Sequence, residues 1–385
     1  MAASDLHAAG TLAAPPAVAQ PNVGSNHRSA LDGIRAFAIG GVMLVHAGTP
    51  GARSGWVGVD LFFVLSGFLI TTLLAMEVRA TGGLAWVPFM ARRALRLMPA
   101  YFLYAAFITW CIWGWSGSVR TSNGAWDAAG LTAALWTYTV NFVPQGGVWN
   151  GQDLTVHLWS LAVEQQYYLF WPLVIMLLLA WPRLLRIVAI ALALLFTVLF
   201  VVWAPGLTML WTRGFSLVLA SALALWAAHD ASFLEWRGLQ RVVDAAGVVL
   251  LLVLAALPYR NGWSDNTART LLMPLLVPVF AMWVGRLWYV RGSGAVRRLL
   301  SDRRLVYIGK VSYGIYLYHE AVRLGVWYWL KPLMAAWPPA LGFVVRMGLY
   351  AGLSFVLAAL SYEFFEKRFL RYADRFRPRR ATVGA

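Results

Sequence analysis

The chain has 385 residues, 60% of them hydrophobic and only 12% charged, yet 32 Lys and Arg outnumber 16 Asp and Glu, for a formal net charge of +16. Apolar content on this scale, with 21 Trp and long apolar runs recurring throughout, exceeds what a soluble domain uses and points to an all-α integral membrane protein. The positive charge invites a nucleic-acid reading, but the basic residues are confined to short clusters between apolar runs, as the positive-inside rule requires, so nucleic acid is excluded as a partner. The single cysteine, Cys111, excludes an intrachain disulfide, and it lies in an apolar run with no sequence-local partner for thiol chemistry.

Residues 1–29, rich in Ala, Pro, Asn and Ser, contain no apolar core of signal-peptide length and read as a disordered cytoplasmic tail. From there the pattern predicts a bundle of about ten transmembrane helices, near 31–47, 57–76, 98–115, 158–180, 186–203, 207–228, 242–258, 269–290, 306–330 and 340–362. These lie within one transmembrane domain over 30–372, followed by a basic cytoplasmic tail over 373–385. Placing both termini in the cytoplasm gathers Arg79, Arg92, Arg93 and Arg96, then Arg183 and Arg186, Arg237 and Arg241, Arg291, Arg297, Arg298, Arg303 and Arg304 on the inner side. The opposite loops hold only Arg53, Arg120, Arg260 and Lys331. This bias requires that the moderately apolar stretch 131–142 not cross fully, so that segment is expected to be re-entrant or to lie along the outer surface.

The first span, LDGIRAFAIGGVMLVH, carries Asp32, Arg35 and His46. At about 100° per residue all three fall on one face, and a lipid-facing charge costs at least about 2.5 kcal/mol at mid-bilayer, so that face should line a cavity or a helix interface. Asp32 is one turn from Arg35 and is expected to pair with it. The second span, GVDLFFVLSGFLI, contributes Asp60 and Ser66. At the inner start of the third, RRALR presents Arg92, Arg93 and Arg96, which serve either as a topology anchor or as guanidinium forks for an anionic cytosolic ligand. In HLWSLAVEQQYYLFWP, the residues His157, Ser160, Glu164 and Tyr168 share a stripe, with Tyr167 beside it. Glu164, about a turn inside its span, must be paired, protonated or facing water. KVSYGIYLYHE places Ser312, Tyr316, His319 and Glu320 along one face, and SYEFFEKRF adds Glu363 and Glu366 at an inner helix end. No HExxH, CxxC, GxSxG, P-loop or dinucleotide fingerprint occurs, so no metal is expected.

These segments, in this order, resemble the membrane-bound acyltransferase 3 family: LDGIRAFAIGGVMLVH, GVDLFFVLSGFLI, the arginines at 92, 93 and 96, WSLAVEQQYYLFWP, SYGIYLYH and SYEFFEKRFLR. The resemblance implies a ten-helix enzyme of the bacterial cytoplasmic (inner) membrane. Such an enzyme moves an acyl group from cytosolic acyl-CoA, commonly acetyl-CoA, to a hydroxyl of a surface glycan or its lipid-linked precursor, of the O-antigen or exopolysaccharide type. It also implies that His46 and Arg35 are essential and that the arginines after the second span handle the donor. The closing motif departs from the family, with Arg368 where a proline usually follows Glu366 and Lys367.

The residues themselves supply roles for that chemistry. Transfer from a thioester to a hydroxyl needs a base near neutrality, and His46 is the candidate general base, with Arg35 about 16 Å further in to meet a donor. Glu164 is the third catalytic candidate, expected to orient His46 or to bind a sugar hydroxyl. Arg92, Arg93 and Arg96 are the candidates for holding acyl-CoA. Asp32, Asp60, Ser66, Ser160, Tyr167, Tyr168, Tyr316 and His319 are supporting candidates, with Tyr167, Tyr168 or Ser66 able to donate to a developing oxyanion. Outer-loop aromatics, Trp126, Trp136, Trp149 and Tyr138, suit either sugar stacking or interface anchoring. The expected partners are a glycan or lipid-linked glycan acceptor and membrane lipids. A transporter or flippase of lipid-linked sugars is the alternative; it would favour inverted repeats, and 31–180 and 186–362 show no self-similarity.

Overall fold

The computed structural model describes residues 25–115, 128–143, 153–203, 208–256, 263–290, 292 and 294–376. Every regular element among them is helical, as a chain so apolar requires: in lipid each backbone N–H and C=O must find its partner within its own segment. In chain order the helices are α1 (Ser25–His46), α2 (Val57–Thr81), α3 (Trp86–Trp115), α4 (Ala128–Trp136), α5 (Asp153–Val156), α6 (Trp159–Leu177), α7 (Pro182–Trp203), α8 (Leu210–Arg213) and α9 (Phe215–His229). They continue with α10 (Arg237–Ala256), α11 (Trp263–Tyr289), α12 (Ala295–Leu300), α13 (Arg303–Leu330), α14 (Pro339–Leu360) and, after a wide π-turn at Ser361–Glu366, α15 (Lys367–Ala373).

Among the described residues, seven helical stretches are long and apolar enough to cross a membrane, including Ser29–His46, Ser54–Thr81, Trp86–Gly114 and Pro339–Phe376. Two further long helices, α6 and α13, fall outside that set. These two carry Ser160, Glu164 and Tyr168, and Tyr316, His319 and Glu320; polarity concentrates on the helices that build the interior site. The predicted span at 207–228 differs: α8 and Gly214 break it, leaving α9 with 15 residues. The break seats Arg213, whose guanidinium lies over Trp159 and Phe200 and 3.7 Å from the fully buried Asp60. Ser216 donates to the other Asp60 oxygen at 2.9 Å.

Helix α4, which enters the predicted non-crossing stretch 131–142, has nine residues. That is about 14 Å, well short of the roughly 30 Å of a bilayer core. α4 leans on α3: Tyr101 donates to the Leu135 carbonyl, Tyr138 stacks on Tyr101, and Trp136 stacks on Phe102. Helix α1 begins at Ser25, inside the predicted tail, and the chain stays helical through Arg368 to Phe376, where Arg92 donates to the Phe376 carbonyl at 2.5 Å. A proline after Lys367 is therefore not needed for the last helix to dock. Residues 1–24 and 377–385, with Trp126 and Trp149, lie outside the described residues.

α1 sits between α2 and α13, α13 also packs on α14, and α2 packs on α9. The α1–α13 seam is backbone on backbone. A Cβ at Gly309 would lie 1.8 Å from the Asp32 carbonyl oxygen, so only glycine lets the two helices approach this closely. That seam carries one half of the site on each side.

Candidate functional site

A cavity of about 420 Å³ opens between α1, α2, α3, α6 and α13 at the end where α3 and α13 begin with their arginines. Its wall holds four cations, Arg35, Arg93, Arg96 and Lys310, against three carboxylates, Asp32, Glu164 and Glu366. All three carboxylates are internally engaged, Glu366 by the Ser361 hydroxyl at 2.8 Å. Arg35 donates to Asp32 at 3.3 Å, the pairing expected one turn apart. Glu164 accepts from both the Ser66 and Tyr168 hydroxyls. The Arg93 guanidinium lies 5.7 Å from the ring centroids of Phe89 and Tyr168, within cation–π range of both. Of the stripe His157, Ser160, Glu164 and Tyr168, the last three line the cavity and His157 does not.

The arginine trio divides. Arg93 and Arg96 line the cavity, whereas Arg92 turns away, donating to Glu77 at 2.9 Å while the other Glu77 oxygen accepts from the Ala85 backbone. Arg92 thus staples the α2–α3 connection. Two other predicted site residues are also structural: Asp60 belongs to the Arg213 pair, and the buried Tyr167 hydroxyl is bonded to Ser221, its ring stacked on Trp171.

His46 does not line this cavity. It joins a second cluster at the far end of α1, and its acidic partner is Glu320, at 3.5 Å from His46 Nε2 to Oε1. The expectation that Glu164 orients His46 is overturned: α6 points Glu164 at Ser66 and Tyr168, while α13 brings Glu320 to the histidine. His319 Nε2 lies 3.3 Å from the same Glu320 oxygen, and Arg323 Nε donates to the opposite oxygen at 2.8 Å. Each imidazole has a backbone carbonyl at Nδ1, Val42 for His46 at 2.8 Å and Tyr316 for His319 at 2.6 Å. Those acceptors assign the proton to Nδ1 and leave both Nε2 atoms facing Glu320. The His319 ring is edge-on to His46 and to the buried His157, with centroids 4.9 Å apart in each case. His319 is fully buried, but the His46 side chain is 32% exposed, so of this pair it is the one an external group can reach.

Two lone pairs aimed at one carboxylate oxygen call for a cation among them. A proton on either imidazole meets that need. The three ligand atoms, within 4.8 Å of one another, also form a set that could hold a metal ion, which no spacing in the sequence signalled because His46 comes from α1 and the other two from α13.

Tyr316 and Ser160 stand between the two regions. Both line the cavity; their hydroxyls are 2.5 Å apart, and Tyr316 donates to the His157 carbonyl at 3.0 Å. Sequence reasoning placed Glu320 on one face with Ser312, Tyr316 and His319 but gave it no site role; its adjacency to His319 on a buried helix was the available signal.

A family model described as an acyltransferase domain matches residues 28–363. A peptidoglycan O-acetyltransferase of Listeria monocytogenes, OatA, is 27% identical over 362 residues, covering 87% of this chain and 54% of that protein. YrhL of Bacillus subtilis, provisionally named a peptidoglycan O-acetyltransferase, is 27% identical over 350 residues, covering 88% of this chain and 54% of its own. The chain thus spans about half the length of these curated relatives. No solved structure matches it.

Proposed function

The chain belongs to the acyltransferase 3 family, and from that premise we propose that it is a multi-pass membrane O-acyltransferase carrying an acyl group, acetyl in the first instance, from cytosolic acyl-CoA to a glycan hydroxyl on the opposite face. The observation that supports this most is the meeting of a cation-lined cavity with a histidine–carboxylate cluster across the Tyr316–Ser160 pair.

Arg35, Arg93, Arg96 and Lys310 hold the phosphates of the CoA substrate, for which guanidinium forks are the best match. The pantetheine arm runs toward Tyr316 and Ser160. His46 Nε2 accepts the proton of the acceptor hydroxyl as its oxygen attacks the thioester carbonyl, and Glu320 stabilises the imidazolium that forms. Collapse of the tetrahedral intermediate breaks the C–S bond, and the imidazolium returns the proton to sulfur, so that CoA leaves as the thiol. The Tyr316 and Ser160 hydroxyls both donate to the His157 carbonyl, and rotation of either proton away from it would let that hydroxyl meet the developing oxyanion. General-base assistance of this kind contributes roughly 10² to 10⁴-fold.

The relatives' names support peptidoglycan as one candidate acceptor class among surface glycans. The test supplies labelled acetyl-CoA to the cytosolic face of inverted vesicles containing native glycan. Label in the glycan that is lost in His46→Ala at matched expression is the expected result. Undiminished label in His46→Ala would reject the role given to His46, and altered glycan export without any label would favour the flippase reading.

A further inference from the structure

Away from both regions, a cavity of about 340 Å³ lies between the ends of α13 and α14 opposite the arginine-rich face. Its lining is apolar and aromatic except for two cations, Lys331 and Arg346. Arg346 is the sole charge in α14, seven residues from its first residue, Pro339, or about 10 Å along an otherwise apolar helix. An ionisable group in such a position is costly and marks function by default. Among the described residues neither cation has a carboxylate partner. Instead both rest on one indole, with the Arg346 guanidinium 5.0 Å and the Lys331 ammonium 5.7 Å from the Trp327 ring centroid. Two positive charges drawn to one ring repel each other unless an anion joins them.

The surroundings identify the class of anion. Tyr328 and Trp329 beside the cavity are 69% and 71% exposed, the amphipathic rings expected at headgroup depth. Below them, the exposed face of α14, with Leu341, Val344, Leu349, Leu353 and Val356, is apolar. A soluble anion gains nothing from that setting, whereas a lipid places its phosphate between Arg346 and Lys331 and lays its chains along this face of α14. We propose that this cavity is a binding site for the phosphate headgroup of an anionic membrane lipid. The geometry gives the site a relation to the histidine cluster: Trp327, Arg323 and Glu320 follow one another along one face of α13, and Lys331 is about 16 Å along the helix from Glu320. A polar group attached to the bound phosphate would extend toward His46.

The inference does not rest on acyl transfer, because its readout is lipid retention. The full chain, purified in detergent, is exposed to phosphatidylglycerol, a polyprenyl phosphate, phosphatidylcholine or inorganic phosphate, and adducts are counted by native mass spectrometry. Wild type should retain at least tenfold more phosphatidylglycerol or polyprenyl phosphate than the Lys331→Gln/Arg346→Gln double variant, and Arg346→Lys should retain an intermediate amount. Preference between the two anionic lipids identifies the natural source. Equal retention by wild type and double variant would overturn the site, as would equal binding of phosphatidylcholine; competition by millimolar inorganic phosphate would overturn its assignment to a lipid. If the double variant does not fold, as judged by its thermal melt, Arg346→Lys and Trp327→Leu carry the comparison.

Discussion

Replacing Glu320 by Gln keeps the shape of the side chain and removes the charge that faces His46. At 3.5 Å, with the effective dielectric of about 20 that suits partly buried pairs, a carboxylate and an imidazolium attract by about 5 kcal/mol. Two features reduce the loss. Arg323 already draws on the other carboxylate oxygen at 2.8 Å, and the Gln amide still offers an oxygen dipole. A net loss of about 2 to 3 kcal/mol from the transition state remains, which is roughly 30- to 150-fold in rate at 1.36 kcal/mol per decade. The assay is acetyl transfer in inverted vesicles, with protein amount set by immunoblot and KM for acetyl-CoA measured alongside. The fall should appear in kcat, with KM for the donor nearly unchanged, because Glu320 does not line the donor cavity. A rate within threefold of wild type, while His46→Ala is inactive, would show that Glu320 does not serve His46. A chelator added to the same assay distinguishes the cation: an unchanged rate assigns the space between the two Nε2 atoms and Glu320 to a proton, and loss restored by a divalent metal assigns it to a metal site.

Arg93→Ala removes a charged donor from the cavity wall and should raise the KM for acetyl-CoA by about 10- to 150-fold, the equivalent of 1.5 to 3 kcal/mol for a charge-assisted hydrogen bond. Arg92→Ala should leave that KM within threefold and lower the melting temperature instead, since it strands the 6%-exposed Glu77 carboxylate; equal KM effects from the two would refute the division of the trio. Gly309→Ala should cost about 1 to 3 kcal/mol by overpacking the α1–α13 seam, seen as a lower melting temperature, and should weaken donor binding by displacing Asp32 and Arg35.

The membrane setting, the helical character of the chain and the family were legible in the sequence, because each rests on local chemistry: apolar runs of spanning length, Arg clusters at their ends and short motifs in fixed order. The Asp32–Arg35 pair was legible for the same reason, being one turn apart on one helix, and so was the stripe of Ser160, Glu164 and Tyr168. What a single helix cannot show is which of its neighbours faces it. Arg92 and Arg93 are adjacent, yet the turn between α2 and α3 gives one to Glu77 and the other to the cavity. Glu164 and Glu320 are both buried acids on polar helices, and only the glycine-tight approach of α13 to α1 decides that Glu320, not Glu164, meets His46. The cation pair on Trp327 is equally invisible in sequence, since Arg346 comes from the next helix. Composition and periodicity determined which faces had to be buried; the packing of those faces, fixed by small residues and by the break at Gly214, decided which charges share a site.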